Sequence, residues 1–364
     1  MSSIEKAEIN IIVNQSYNPG YGTAALETYR SLKEAISNLK MYSVNYFRGF
    51  NLPPLINLSR HYSNSIFSVP IVNWLNFRHL RKNSIFENKN IHLLGSDYSL
   101  VEVSERCVLT VHAYYYETLG LFREPSLTSA LKDIYRNLEE IRLKKFIKKS
   151  RNIIAPSKES ANQIYRGTGI LPKVAYFPVD RERFYLRGKE EVRKQLNLPS
   201  NKKILINVSG GGANKNLKTL KQMADRLPKE VILLKVNYPI DSPNVINLGK
   251  VDDVMYPLYL SASDLYVHTS VREGFGIPMA ESMASGLPVI APRVSTAPEV
   301  LEKAGFFVNE PKDYSGFLDA IFALIDDKAK YDELVFLGSE RVRFFSKENY
   351  RDSVLRVYEK AFSF

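Results

Sequence analysis

Two glutamates separated by seven residues, Glu273 and Glu281, bracket the segment Gly274-Phe275-Gly276-Ile277-Pro278. Pro278 suits the first position of a helix, and Gly286 suits the left-handed stop after one. The spacing therefore predicts a glycine-bearing turn, a short helix and a strand at 288–291. Backbone N–H groups at a helix start reached through glycines form a ready anion site, with phosphate as the obvious candidate. Gly274 and Gly276 let such a ligand approach the backbone closely. Carboxylates accept hydrogen bonds well from sugar hydroxyls. Glu273 before the turn and Glu281 on the first helical turn thus fit a ligand with hydroxyls on both sides of its phosphates. The same residues also read as a plain turn and a helix whose early acid complements its dipole.

Upstream, Lys215 follows the run Ser209-Gly210-Gly211-Gly212, after a strand at 203–208. That is a strand-to-helix junction, where open α/β sheets bind phosphate; a solvated loop lysine is the alternative. His112 ends a strand at 108–111. A neutral imidazole there suits a hydrogen bond to a hydroxyl, and a satisfied core histidine fits equally. Gly20 and Gly22, in Asn18-Pro19-Gly20-Tyr21-Gly22-Thr23, follow a strand at 8–13 and precede a helix, where a plain turn is the competing reading.

The elements that must position these residues alternate in a βαβ manner, which predicts parallel sheets. Strands are expected in the first half at 8–13, 43–46, 91–94, 108–111, 152–155 and 174–177. The second half offers 203–208, 231–236, 245–248, 265–268 and 288–291. Two such series imply two doubly wound domains, 1–178 and 179–346, with a boundary near Pro178-Val179-Asp180. A C-terminal helix over 347–364, with apolar residues at Val354, Val357, Tyr358 and Ala361, is expected to join the first domain. Apolar residues at 127, 131, 134, 138 and 141 mark an amphipathic helix that ends in Lys144, Lys145, Lys148, Lys149 and Arg151.

A chain of 364 residues is past the size of one typical core, in agreement with two domains. The 50 Lys+Arg against 39 Asp+Glu favour anionic partners, although solubility alone also accounts for the surplus. Cys107 is the single cysteine, expected as a small buried residue, and the five histidines show no HxxxH or HxH spacing. A disulfide is excluded, and neither a metal site nor a cofactor is expected. The N-terminus shows no signal pattern and no apolar run approaches a membrane span, so the expectation is a soluble, cytoplasmic chain.

The stretch from Glu273 to Ile290 resembles the signature of glycosyltransferase family four, whose two glutamates stand in an E-x7-E pattern. Thr296-Ala297-Pro298-Glu299-Val300 and Ala304-Gly305-Phe306-Phe307-Val308 are similar to the segment that follows it. Ile154 to Ser160 and Pro178 to Phe184 resemble the family's interdomain strands. The resemblance covers roughly residues 150–345. It implies an α/β chain of the GT-B fold, with two Rossmann-like domains facing each other across a donor-binding cleft. It further implies retaining transfer of a hexose from a UDP or GDP sugar to a lipid-linked, glycan or protein acceptor, without a metal. In that scheme Glu281 binds the ribose, and Glu273 and the backbone from Gly274 to Ile277 lie along the sugar and phosphates. Lys215 neutralises the diphosphate, whose charge grows as it leaves. The Gly20–Gly22 loop lies near the diphosphate, and His112 takes the place of the histidine in an "H-D" pair, with Ala113 for the aspartate. The family's arginine five residues before the lysine is Gly210 here, so the amides of Gly210 and Gly211, or Arg272 or Arg293, are expected to take over.

Three other readings compete. Glycoside hydrolysis needs two carboxylates but neither Lys215 nor a phosphate-binding helix start. A basic nucleic-acid-binding protein needs cations interleaved with aromatics along a groove, and no recognisable binding module appears, so no nucleic-acid partner is expected. A catalytically silent sugar binder would not need Glu273, Glu281 and Lys215 together. A last expectation is peripheral docking on an anionic membrane through Trp74 to Lys82 and the four lysines at 144–149.

Overall fold

The computed structural model describes residues 7–14, 19–44, 90–94, 106–112, 141 and 143–362. The chain divides into two compact units, residues 1–176 with Tyr350–Phe364, and Phe177–Asn349.

The first unit is built on β1 (Ile9–Asn14), α1 (Pro19–Lys33), β2 (Leu39–Val44), β3 (Ile91–Leu94), β4 (Cys107–Thr110), β5 (Asn152–Ala155), α2 (Lys158–Thr168) and β6 (Lys173–Val174). Its six strands lie in the order β2-β1-β3-β4-β5-β6, all parallel. β3, β4 and β5 are buried along their whole length, as strands of a parallel sheet covered on both faces must be. Cys107 is buried among them. Helix α2 starts where the Ser157 hydroxyl accepts from Ser160 N–H at 3.0 Å, and it stops at Gly169 with φ 75°.

The C-terminal helix, Lys347–Phe362, is tied to this unit by hydrogen bonds. Tyr350 Oη and Thr28 Oγ1 meet at 2.8 Å, Tyr358 Oη meets His92 Nδ1 at 2.6 Å, and Arg106 donates to the Phe362 carbonyl at 2.6 Å.

The second unit runs α3 (Lys189–Gln195), β7 (Lys203–Ser209), α4 (Leu217–Ala224), β8 (Val231–Asn237), β9 (Val245–Gly249), α5 (Met255–Ala262), β10 (Leu265–Val267), α6 (Ile277–Ala284), β11 (Val289–Pro292), α7 (Ala297–Leu301), β12 (Gly305–Val308), α8 (Tyr314–Asp326) and α9 (Lys328–Val342). Its strands lie in the order β12-β11-β10-β7-β8-β9, again all parallel. Leu205, Leu233, Leu265, Val267 and Ile290 pack against Leu220, Met223, Phe317 and Ile321 of the flanking helices. Below the sheet's N-terminal edge, Asp264 draws together Lys189 at 2.8 Å, Arg193 at 2.7 Å and Ile204 N–H at 2.7 Å.

Several expectations need correction. β2 starts at Leu39, not 43, because Leu39 is the register partner of Ile9 in β1. The strand expected at 174–177 is only Lys173–Val174, and Phe177 instead meets Phe275 edge-on with centroids 6.0 Å apart. β12 was not foreseen as a strand; its four residues were legible only as part of a motif. Residues 143–150 are helical, with Leu143 and Ile147 in the core. Ile141, assigned to the buried stripe, is half exposed instead. The stretch Trp74 to Lys82 and most of the expected 127–147 helix lie outside the described residues.

Candidate functional site

Strands β7, β8 and β9 are laid to one side of the second sheet, and the chain then returns to place β10, β11 and β12 on the other. The strand order reverses between β7 and β10. In open parallel sheets, ligands bind outside the carboxyl ends of the strands at such a reversal, because the two following loops splay apart there. The loops in question are Gly210–Lys215 after β7 and His268–Gly276 after β10. They carry most of the residues that the sequence singled out.

The two loops are stitched together. Lys215 Nζ donates to Glu273 Oε1 at 2.6 Å. The Asn214 side chain donates to the Arg272 carbonyl at 3.0 Å, Val271 N–H to the Asn214 carbonyl at 2.9 Å, and Thr269 Oγ1 to the Lys215 carbonyl at 2.9 Å. Glu273 N–H is held by Ser295 Oγ at 3.0 Å. A tight turn, Ala213–Lys215, closed by Asn216 at φ 51°, aims the lysine across the gap. Burial pushes the Glu273 carboxyl up, but Lys215, His268 and a hydrogen bond from Ser270 outweigh it and hold the carboxyl below its usual value. His268 is itself pushed down to about 4 by burial, so its ring, 3.9 Å from Glu273, is neutral near pH 7.

Helix α6 begins as its glycine demands. Gly276 has φ 92°, a conformation that strains any other residue, and a Cβ there would push the end of the Met279 side chain aside. Gly286 closes the segment at φ 78°. Glu281, expected on the first turn of this helix, is its fifth residue and lies on the second turn, so the dipole explains less of its presence. Glu281 is buried, and its Oε2 accepts from Tyr256 Oη of α5 at 2.8 Å. The phenol of Tyr266, in β10, is pushed well above its ordinary range by burial and then by Glu273 and Glu281, whose charges both reach it.

The remaining expected residues fall as follows. Gly274 and Gly276 are buried, Ile277 is half-buried, and the Phe275 side chain is a core ring packed edge-on against Phe345 at 5.2 Å, which leaves only its backbone for a ligand. Gly211 and Gly212 are exposed and Gly210 half-buried. Arg293 lies over the Phe307 ring at 4.5 Å. Gly20 and Gly22, expected in a loop before a helix, are instead in the first turn of α1, which begins at Pro19. His112 lies in the first unit, buried just beyond β4, and burial lowers it to about 4.

Sequence reasoning missed two groups. Tyr256, the partner of Glu281, sits on a helix with no polar periodicity to betray it. Lys235, fully buried inside β8, is a lone cation in the apolar run Val-Ile-Leu-Leu-Lys-Val, and that contrast was the available signal.

Comparison with known proteins agrees with this geometry. Residues 190–327 match the family described as glycosyl transferases group 1. Over 112 residues the chain is 31% identical to the O-antigen chain mannosyltransferase B of Escherichia coli, which covers 31% of this chain and 29% of that protein. The chain spans between about three tenths and half of the length of the first curated relatives it matches. The fold matches over nearly the full length. Sucrose-phosphate synthase of Thermosynechococcus elongatus superposes with a TM-score of 0.78 at 18% identity, over 98% of this chain and 100% of that one. HepE of Anabaena, solved with UDP and glucose, gives 0.69 at 16%, over 96% and 98%. Two parallel six-stranded sheets of this kind are the GT-B architecture. Residues 190–327 are thus similar to the group 1 glycosyl transferases, and the GT-B fold extends over nearly the whole chain.

Proposed function

We propose that the protein is a retaining hexosyltransferase that takes its sugar from a nucleoside-diphosphate donor of the UDP or GDP type. The observation that carries this is the Lys215–Glu273 bridge at the strand-order reversal, with buried Glu281 one helix turn away from the glycine entry. A cation, exposed glycine amides and two carboxylates suit a ligand that alternates hydroxyls and phosphates. Lys215 stabilises the diphosphate as it departs, Glu273 and the backbone at Gly274–Ile277 hold the sugar, and Glu281 holds the ribose. HepE, a structural neighbour solved with UDP and glucose, favours the uridine form of the donor.

In the transfer step the acceptor hydroxyl attacks the anomeric carbon, the bond from that carbon to the phosphate oxygen breaks, and the same oxygen takes the acceptor's proton. Attack and departure occur on one face, so configuration is kept. The protein contributes position and charge, without a metal. A lipid-linked, glycan or protein molecule is the acceptor. The exposed Lys145, Lys148 and Lys149, beside Lys144, favour an acceptor met at an anionic cytoplasmic membrane face. Among the described residues no helix is long and apolar enough to cross a membrane.

The test is a panel of UDP and GDP hexoses incubated with the protein, reading released diphosphate and the anomeric configuration of the product by NMR. Diphosphate release from one donor with retained configuration supports the reading; no release from any donor, or inversion, counts against it.

A further inference from the structure

Lys235 is fully buried, yet among the described residues no carboxylate lies against it. Its Nζ donates to the Ser209 carbonyl at 2.8 Å and to the Val236 carbonyl at 2.8 Å. Those carbonyls stand at the C-terminal ends of β7 and β8, so the amine sits at the ligand-binding edge of the sheet and not at its middle. Ser209 is the last residue before Gly210-Gly211-Gly212, and Tyr238 N–H reaches the same carbonyl at 3.3 Å. The Tyr238 ring lies against Gly211 so closely that a Cβ there would collide with it. The amine is thus sealed beneath the glycine run that leads to Lys215.

We propose that Lys235 is a proton-linked cation of the phosphate subsite, which takes up a proton on Nζ when a nucleoside diphosphate binds over the glycine run. This rests on the donor reading above and deepens it. A neutral amine has two N–H groups, enough to keep both carbonyl bonds; only the third valence changes between the two forms. Without ligand the neutral form prevails above pH 7, because burial and the nearby Lys215 lower this amine from the usual lysine value to about 7. Lys215 itself is fixed on the turn after β7, paired with Glu273 and facing the neutral His268. On the other flank β9 carries no ionisable residue, and α4 turns Lys218 outward and Lys221 toward Asp225. An incoming diphosphate supplies the missing counter-charge. The proton comes from solvent, the amine goes from neutral to ammonium, and the site gains the positive charge that no residue at position 210 provides.

The experiment is titration calorimetry of UDP and of GDP at pH 8, each in two buffers that differ in ionisation enthalpy. The terminal phosphate, with a pKa of about 6, is already ionised at that pH and contributes no uptake of its own. The wild type is expected to take up close to one proton per bound diphosphate, and its affinity to fall several-fold to about tenfold per unit between pH 7 and pH 9. Lys235→Met and Lys235→Arg, each checked for a cooperative thermal transition, are expected to bind with no uptake; arginine keeps donors for both carbonyls if the methionine variant does not fold. A merely structural lysine would alter affinity without moving the proton count. Binding without uptake in the wild type, or equal uptake in the variants, overturns this inference and leaves the donor reading standing. Failure of both diphosphates to bind overturns the two together.

Discussion

Lys215 and Glu273, 58 positions apart, meet at 2.6 Å across the point where the strand order of the second sheet reverses. Without ligand the two charges neutralise each other, and that pairing holds the loops after β7 and β10 in register. A bound diphosphate sugar would divide the pair, with phosphate drawn to the lysine and hydroxyl to the glutamate. The pair is partly shielded from water, so losing one member costs more than an exposed pair would.

Lys215→Ala is accordingly expected to lower turnover by on the order of a hundredfold or more, the loss typical of one preorganised charge-stabilising donor. Thermal unfolding of the same variant should shift much less in proportion. Turnover within threefold of wild type would place the diphosphate elsewhere.

Glu281→Gln should weaken nucleotide binding about tenfold or more, since a charge-assisted hydrogen bond is worth roughly 1.5–3 kcal/mol. Tyr256→Phe is expected to act in the same direction by a smaller factor, because it frees Oε2 without removing the charge. Calorimetry with the preferred diphosphate reads both.

Acid stability provides an independent check. His92, His112 and His268 are lowered to about 3, 4 and 4 by burial, whereas the unfolded chain protonates them near 6.5. Between those values the unfolded state binds more protons, so stability falls as pH drops from 6.5 toward 4. The slope is up to about 1.4 kcal/mol per pH unit for each histidine. Glu273 adds to the loss at lower pH, since its depressed carboxyl stabilises the fold above the unfolded value and ceases to do so as pH falls through the folded one. Urea unfolding across this range should show the slope, and His268→Gln should reduce it by about a third. A flat profile would mean that these rings are solvated.

Gly276→Ala should destabilise the second unit by about 1–2 kcal/mol for the left-handed backbone alone, with the clash on Met279 in addition. Nucleotide affinity should fall as well, because α6 begins at that residue. Chemical denaturation and binding measured together separate the two effects.

The sequence made the periodic and punctuated parts of this fold legible. Apolar runs such as Lys203 to Val208 and Val231 to Val236 appear as β7 and β8 within a residue of their expected ends. Gly286 occupies the left-handed position expected of it after the helix, and Gly276, read only as a point of close backbone approach, is left-handed too. Short or weakly patterned elements were not legible. β6 has two residues and β12 four, and Pro19 draws Gly20 and Gly22 into a helix that their composition argued against. Pairings across the fold were invisible for another reason. Nothing local to Tyr256 announces Glu281, and a lysine inside an apolar strand is informative only once Ser209 is known to lie beside it.

The central claim is that the second unit holds a nucleoside diphosphate through Lys215, Glu273 and Glu281. A thermal-shift screen of nucleosides, nucleoside monophosphates, nucleoside diphosphates and diphosphate sugars, on wild type and Glu281→Gln, tests it most directly. Ligand at about 100 times its dissociation constant stabilises by roughly 2.7 kcal/mol, enough for a shift of a few degrees. The account predicts stabilisation by one diphosphate and its sugars, little by the matching nucleoside, and a much reduced shift in the variant. Equal melting temperatures with and without every diphosphate, or an undiminished shift in Glu281→Gln, would contradict it.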